Sequence, residues 1–331
     1  FSALARWLLH LDKPLRPPNA CAQTAAPYQA QFPARSLRPS PAARPMKEHP
    51  MPHPLITQDD IDSFQRDGVI VIRGLFRDHV NALRAGVARN MEAPGPYASD
   101  NKKDGETGRF FDDYCNWQRI PEFEEVIKTS PAAQVAAELM CSQTTQMFHD
   151  HVLVKEPGTS MATPWHTDGP YYFVEGQQTV SFWSPLDPVT EATLRCVAGS
   201  HAWEKPVMPM RWVSEESYFP NKDDYMPVPD PEAEGMDIRE WEMEPGDAVA
   251  FNYSILHGAR GNTAHTRRRA FSLRLVGDDA RYVARPGRTS PPFPDHGMRA
   301  GERLREDWFP ILYRSAERGR AGAPREPAEQ E

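Results

Sequence analysis

The sequence predicts a mainly β domain with flanking helices, a barrel or sandwich, and two observations point there. Helical spacing of apolar residues is confined to the stretch before residue 141, and from residue 144 onward strand-length apolar runs recur between Gly/Pro-rich turns. Thr57 followed by Asp60 suits a helix N-terminus, with Ile61 and Phe64 forming an apolar face up to Gly68. VIVIRGLF (69–76) reads as a strand, and Asp78 as the cap of a second helix running to Met91. Helices at 121–128 and 131–140 each open with a proline in the first turn. The β region then supplies QMFHDHVLVKE, QTVSFWSPLD, TLRCVAGS, DAVAFNYSILHG and RRAFSLRLVG. No repeat of fixed period is present.

Both ends differ from this body. Residues 1–45 contain eight prolines and six basic side chains against one acid, with no periodic apolar face. Residues 1–50 are therefore expected to be a disordered or non-native leader, in preference to a targeting peptide built on FSALARWLLHL, and 316–331 a disordered tail. One domain is expected over 51–315. Of the formal charge of −8, the chain beyond residue 45 carries 32 basic against 45 acidic groups, a net −13. That balance argues against a phosphate-backbone partner, so no nucleic acid is expected. No apolar run approaches the roughly 20 residues that span a bilayer, and no membrane association is expected. Cys21, Cys115, Cys141 and Cys196 show neither CxxC spacing nor disulfide-framework density, which suggests reduced, mostly buried thiols in a cytoplasmic protein.

The chemistry lies in PWHTDGPYY, which places His166 and Asp168 two residues apart. On an extended strand, positions i and i+2 point to one face, so an imidazole and a carboxylate can bind one ion side by side. An HxD pair alone is weak evidence, since His10 and Asp12 form another in the leader. A third ligand is offered by His257, at the end of the run FNYSILHG. Two histidines and one carboxylate leave coordination positions open for O2 and a co-substrate, a set that points to Fe(II). Arg268 follows 11 residues later and opens the strand RRAFSLRLV. Its guanidinium is a natural bidentate partner for the distal carboxylate of 2-oxoglutarate. On that strand Arg268, Ala270 and Ser272 share one face, and Arg267, Arg269 and Phe271 the other.

With HTD at 166–168, TLRCVAGSH at 193–201, HG at 257–258, RRA at 268–270 and ITQDDIDSFQRDGVIVIRGLF at 56–76, the chain resembles the phytanoyl-CoA dioxygenase family. The resemblance covers 56–280. It implies a double-stranded β-helix (jelly-roll, cupin-like) core, Fe(II), and 2-oxoglutarate held by Arg268. It also implies Trp183 as a co-substrate contact, with plain barrel packing the other reading of that residue. The family's usual Gly-Cys-Leu and Pro-Gly-Ser-His segments are replaced here by EATLRCVAGSH (191–201), which alters a turn and no ligand. Halogenating relatives lack the carboxylate ligand. Asp168 is present, so hydroxylation of a small organic substrate, giving succinate and CO2, is the expected outcome. A cupin-type oxygenase without 2-oxoglutarate would leave Arg268 without a task, and a non-catalytic metal- or ligand-binding module would leave the open triad unused.

Several other residues carry alternatives. His149 and His151 share one face of a strand and could line the pocket or bind a second metal; with no third ligand in their sequence they read as pocket lining or as satisfied strand histidines. His201 is expected to end a turn and His265 to face solvent. Tyr171, Tyr172 and Phe173 either pack on substrate or belong to the core. Residues 202–240 form a long insertion of the kind that builds lids or mobile loops.

Overall fold

A computed structural model of the protein describes residues 52–101, 105, 107–190, 193–211, 216–219, 223–262 and 265–315. The leader, the tail and Cys21 lie outside the described residues. Thr57 and Asp60 form a reciprocal capping box at the start of α1 (Gln58–Asp67): the Asp60 carboxylate accepts from the Thr57 N–H at 2.8 Å, and the Thr57 hydroxyl accepts from the Asp60 N–H at 3.2 Å. Gly68 ends α1 in the left-handed region, φ 73°. The chain continues through β1 (Val69–Ile72) and α2 (Val80–Glu92). Asp78 does not cap α2 as expected, because α2 is entered from a 3-10 turn, Arg77–His79, which contains it. Next come β2 (Ser99–Asn101) and β3 (Phe110–Tyr114), which the sequence does not announce, since FFDDY lacks strand alternation. Helix α3 (Pro121–Thr129) begins with proline in its first turn, whereas Pro131 sits just ahead of α4 (Ala132–Leu139).

The β region holds β4 (Thr144–Lys155), β5 (Thr163–His166), β6 (Val174–Glu175), β7 (Thr179–Pro185), β8 (Leu194–Val197) and β9 (Ile238–Arg239). It closes with β10 (Ala248–Phe251), β11 (His257–Ala259), β12 (Arg268–Val276), β13 (Arg281–Tyr282) and β14 (Ile311–Arg314). The large sheet runs β1-β10-β7-β12-β4-β3-β2, with β14 also on β4; the smaller runs β5-β11-β8-β9, and β13 pairs β6. This is the expected jelly-roll, with one correction. The run 247–258 is not one strand, because Asn252 turns the chain by accepting the Ser254 N–H on its side-chain oxygen at 2.9 Å. The turn puts β10 in the large sheet and β11 in the small one.

Alternation along the large sheet sorts its side chains. Val152, Val154, Phe182, Phe271 and Leu273 pack with Phe64, Leu83, Phe123 and Val135 of the helices. Phe271 is fully buried there, so truncating it to Ala would cost about 3–5 kcal/mol. The opposite face turns Leu153, Trp183, Phe251 and Ala270 inward, where they meet Leu194 and Cys196 of the small sheet. Among the described residues no helix is long and apolar enough to cross a membrane. Of the described cysteines all are free, but only Cys196 is fully buried. Cys141 is exposed, contrary to expectation, because the turn after α4 turns it outward.

Candidate metal centre

His166 ends β5, and the Cα of His257, which begins β11, is its direct cross-strand partner. A Cβ at Gly258 would stand 3.0 Å from the Thr163 carbonyl oxygen, so the His-Gly pair lets the two strands approach. Asp168 is not on the strand, as the i, i+2 reading supposed. It has helical backbone angles and opens the 3-10 turn Gly169–Tyr171, which folds its carboxylate back between the two rings. Asp168 Oδ1 lies 3.6 Å from His166 Nε2 and 3.8 Å from His257 Nε2, and the three ligand atoms fall within 4.8 Å of one another. No other group of three such side chains occurs among the described residues.

The donor set fits a divalent metal. His166 Nδ1 is 2.8 Å from the Pro164 carbonyl oxygen, and His257 Nδ1 is 2.9 Å from that of Ile255. A carbonyl only accepts, so both Nδ1 atoms carry the proton and both Nε2 lone pairs face the centre. Burial, then the neighbouring His166, lowers the His257 pKa to about 3, which keeps that ring neutral. Burial opposes ionisation of Asp168, yet the Arg274 guanidinium beside it holds its carboxyl well below the usual range. Two neutral imidazoles and one carboxylate make a three-ligand face suited to Fe(II).

The triad opens into a cavity of about 490 Å³ that Arg268 and Trp183 also line. Arg268 is 5% exposed, and its guanidinium carbon stands 5.4 Å from the centre of the Trp183 ring. Burial pulls its pKa down to about 10, which leaves it charged at neutral pH. Arg269 lies on the other face of β12, paired with Asp187 at 2.6 Å, so the strand has the register read from the sequence. Sequence reasoning missed Arg274, which period-2 alternation from Arg268 would have placed on the inner face. It is buried, with Nη2 3.5 Å from Asp168 Oδ2 and Nε donating to the Tyr172 hydroxyl at 2.8 Å.

The aromatic trio divides. Tyr171 and Tyr172 line the cavity, Tyr172 also packing on Phe148, whereas Phe173 stays off the cavity in the same cluster with Phe148 and Phe309. The Tyr171 hydroxyl donates to the Met210 carbonyl at 2.7 Å and accepts the Met210 N–H at 2.8 Å. The 202–240 insertion is thus tied to the turn that carries Asp168, and it lends Met210, Arg211 and Tyr218 to the cavity wall. His149 and His151 both line the cavity, and among the described residues neither belongs to a second metal-ligand group. His201 sits in a 3-10 turn with Nε2 3.4 Å from the Gln65 carbonyl, and His265 is exposed.

Residues 64–270 match the family model for phytanoyl-CoA dioxygenase. The dioxygenase lolE1 of Epichloe uncinata is 24% identical over 233 residues, which cover 66% of this chain and 82% of that protein. Among solved structures, the non-heme alpha ketoglutarate dependent carbocyclase SnoK from nogalamycin biosynthesis superposes with a TM-score of 0.61 at 19% identity, covering 78% of this chain and 97% of the other. EctD from S. alaskensis, solved with 2-oxoglutarate and 5-hydroxyectoine, gives a TM-score of 0.54 at 20% identity, over 75% of this chain and 85% of its own. At these identities the structural likeness is one of fold.

Proposed function

The chain belongs to the phytanoyl-CoA dioxygenase family, and from that premise we propose that it is an Fe(II)- and 2-oxoglutarate-dependent dioxygenase hydroxylating a small organic molecule, with release of succinate and CO2. The observation behind this reading is that one cavity is lined by both a buried three-ligand face and a buried, charged guanidinium. SnoK is described as alpha ketoglutarate dependent and EctD was solved with 2-oxoglutarate, in keeping with that pairing.

In this reading His166, Asp168 and His257 hold the iron. Arg268 takes the distal carboxylate of the co-substrate, with Trp183 fixing the guanidinium plane from one side. Arg274 and the Ser181 hydroxyl, the latter 3.4 Å from Asp168 Oδ2, orient the carboxylate ligand from behind. Bound together, iron and 2-oxoglutarate supply an oxidant derived from O2. The protein contributes position and exclusion of water, and no side chain needs to act as a general base.

The test is succinate formation by the purified protein with Fe(II), O2 and 2-oxoglutarate. Turnover is expected in the wild type and is expected to vanish in His166→Ala, Asp168→Ala and His257→Ala while each stays folded. Oxygen consumption without need of 2-oxoglutarate would instead favour a cupin-type oxygenase. Metal binding with no turnover across a metabolite library would favour a non-catalytic module.

A further inference from the structure

One wall of the cavity is polar in a way the iron and 2-oxoglutarate do not use. It is built by β2, β3 and β4, which supply Asn101, Asp112, Tyr114, His149 and His151. Asp112 is two strands along from β12, a spacing of about 10 Å in a sheet, in the row of Leu153 and Ala270, two residues along β12 from Arg268 and four from Arg274. Its Oδ2 accepts from Asn101 Nδ2 at 2.9 Å, and its Oδ1 lies 3.5 Å from His151 Nε2. Among the described residues no arginine or lysine pairs with Asp112, and Arg109, just ahead of β3, is paired with Asp100 instead. Burial holds His151 below the usual imidazolium range in spite of Asp112 beside it. A buried carboxylate whose two side-chain neighbours are both neutral is thus presented to the cavity, a costly arrangement until a cation arrives.

A second observation points the same way. His149 is 2% exposed, and its Nδ1 is 3.1 Å from the Asp150 carbonyl oxygen, so that nitrogen bears the proton. Its Nε2 is buried and has no hydrogen-bond partner among the described residues, which leaves a lone pair on a cavity-lining ring. His149 stands directly opposite Arg274, which places it nearer the metal than Asp112. The Tyr114 ring sits edge-on to both histidines, with Tyr97 stacked on it at 5.0 Å. The wall therefore offers one anion, one acceptor and an aromatic surface.

Resting on the iron and 2-oxoglutarate reading above, we propose that Asp112 and His149 form the substrate subsite, and that the substrate is a small amine, bound as its ammonium, with a second hydrogen-bond donor nearer the iron. The ammonium pairs with Asp112 against the Tyr114 ring, and the second donor meets His149 Nε2. An anionic substrate end, such as the phosphates of an acyl thioester of coenzyme A, would meet repulsion at this wall.

The test uses the iron-loaded protein kept anaerobic and equilibrium dialysis against a panel of small cyclic and open-chain amino alcohols, each matched to the diol in which hydroxyl replaces the amine. Amino alcohols are expected to bind about tenfold or more tightly than their diols, the scale of a charged pair in a shielded site. Asp112→Asn, checked for an unaltered unfolding midpoint, is expected to abolish that preference. Equal binding of amino alcohols and diols by the wild type, binding of neither, or a preference that survives in Asp112→Asn would each overturn the proposal. Calorimetric titration of 2-oxoglutarate into the wild type is a separate arm. Its failure would sink the co-substrate reading without touching the amine-versus-diol comparison.

Discussion

Arg274 reaches from β12 to the carboxylate ligand Asp168, its Nη2 3.5 Å from Oδ2, while its Nε is engaged by Tyr172. The guanidinium thereby compensates a buried negative charge that a metal ion would otherwise compensate. Removing one member of a buried pair costs about 3–5 kcal/mol, because the other charge is left uncompensated. Arg274→Met should therefore destabilise the metal-free protein by that amount, and the metal should restore part of the loss. The checking measurement is the rise in unfolding midpoint on adding metal, which should be larger in the variant than in the wild type. Equal rises would show that Arg274 and the metal do not share the compensation of Asp168.

Arg268 and Arg269 provide an internal control on one strand. Arg268→Ala removes the proposed partner of the distal carboxylate, a loss of about 2–5 kcal/mol, so the KM for 2-oxoglutarate should rise about 30-fold or more. Arg268→Lys should rescue only in part, because an ammonium lacks the fork geometry. Arg269→Ala breaks the outer pair with Asp187 and should leave that KM unchanged. Steady-state kinetics with 2-oxoglutarate varied separates the two; an unmoved KM in Arg268→Ala would remove this residue from the co-substrate site.

Lys155 is fully buried beside Arg268, its Nζ donating to the Arg260 carbonyl at 2.9 Å and lying 4.9 Å from the centre of the Phe110 ring. Burial, then Arg268, pushes its pKa down to about 6. Unfolded, the same amine titrates near about 10.4, so between these values the unfolded state holds the extra proton and stability rises with pH. Lys155→Met should therefore stabilise the protein at pH 7, by about 1–4 kcal/mol, and the gain should shrink as pH approaches 10. Denaturant unfolding of both proteins at pH 7 and 9.5 checks this. A gain that grows with pH would mean the amine is charged in the folded state.

Tyr171 ties the 202–240 insertion to the metal turn through two hydrogen bonds to Met210. Each such bond is worth about 0.5–1.5 kcal/mol net, so Tyr171→Phe should loosen the insertion without unfolding the barrel. Limited proteolysis should cut within 202–240 several-fold faster in the variant, at an almost unchanged global midpoint. Identical cleavage rates would show that other contacts hold the insertion.

The meeting of the triad, and the place of Arg268 on the same cavity, were legible from HxD, a distant HG and an arginine 11 residues on. The reason given for HxD was nevertheless wrong in part, since a strand pattern cannot reveal that Asp168 has already entered a 3-10 turn. DAVAFNYSILHG looked like one strand because its apolar content is continuous, and the bend at Asn252 depends on a single side-chain hydrogen bond. Strand β3 went unseen for the opposite reason. Asp112 and Asp113 interrupt its apolar pattern, and both are buried by partners distant in sequence: Asp113 accepts from Asn90 at 2.7 Å, and Asp112 pairs with His151. Arg274 could have been found by counting on from Arg268, whereas its task at Asp168 comes from the tertiary fold.

The strand order of the large sheet has an engineering consequence. Strand β12, with both inner arginines, is flanked on each side by long pairings to β4 and β7, while β2 and β3 form the margin and β2 pairs with β3 alone. A library confined to β2, β3 and the 202–240 insertion can recut one side of the chamber while the metal-ligand set and both arginines are inherited intact. Altering β12 itself would shift inner charges and outer core packing at once. Retargeting this scaffold is thus work for its border, with the middle left as it stands.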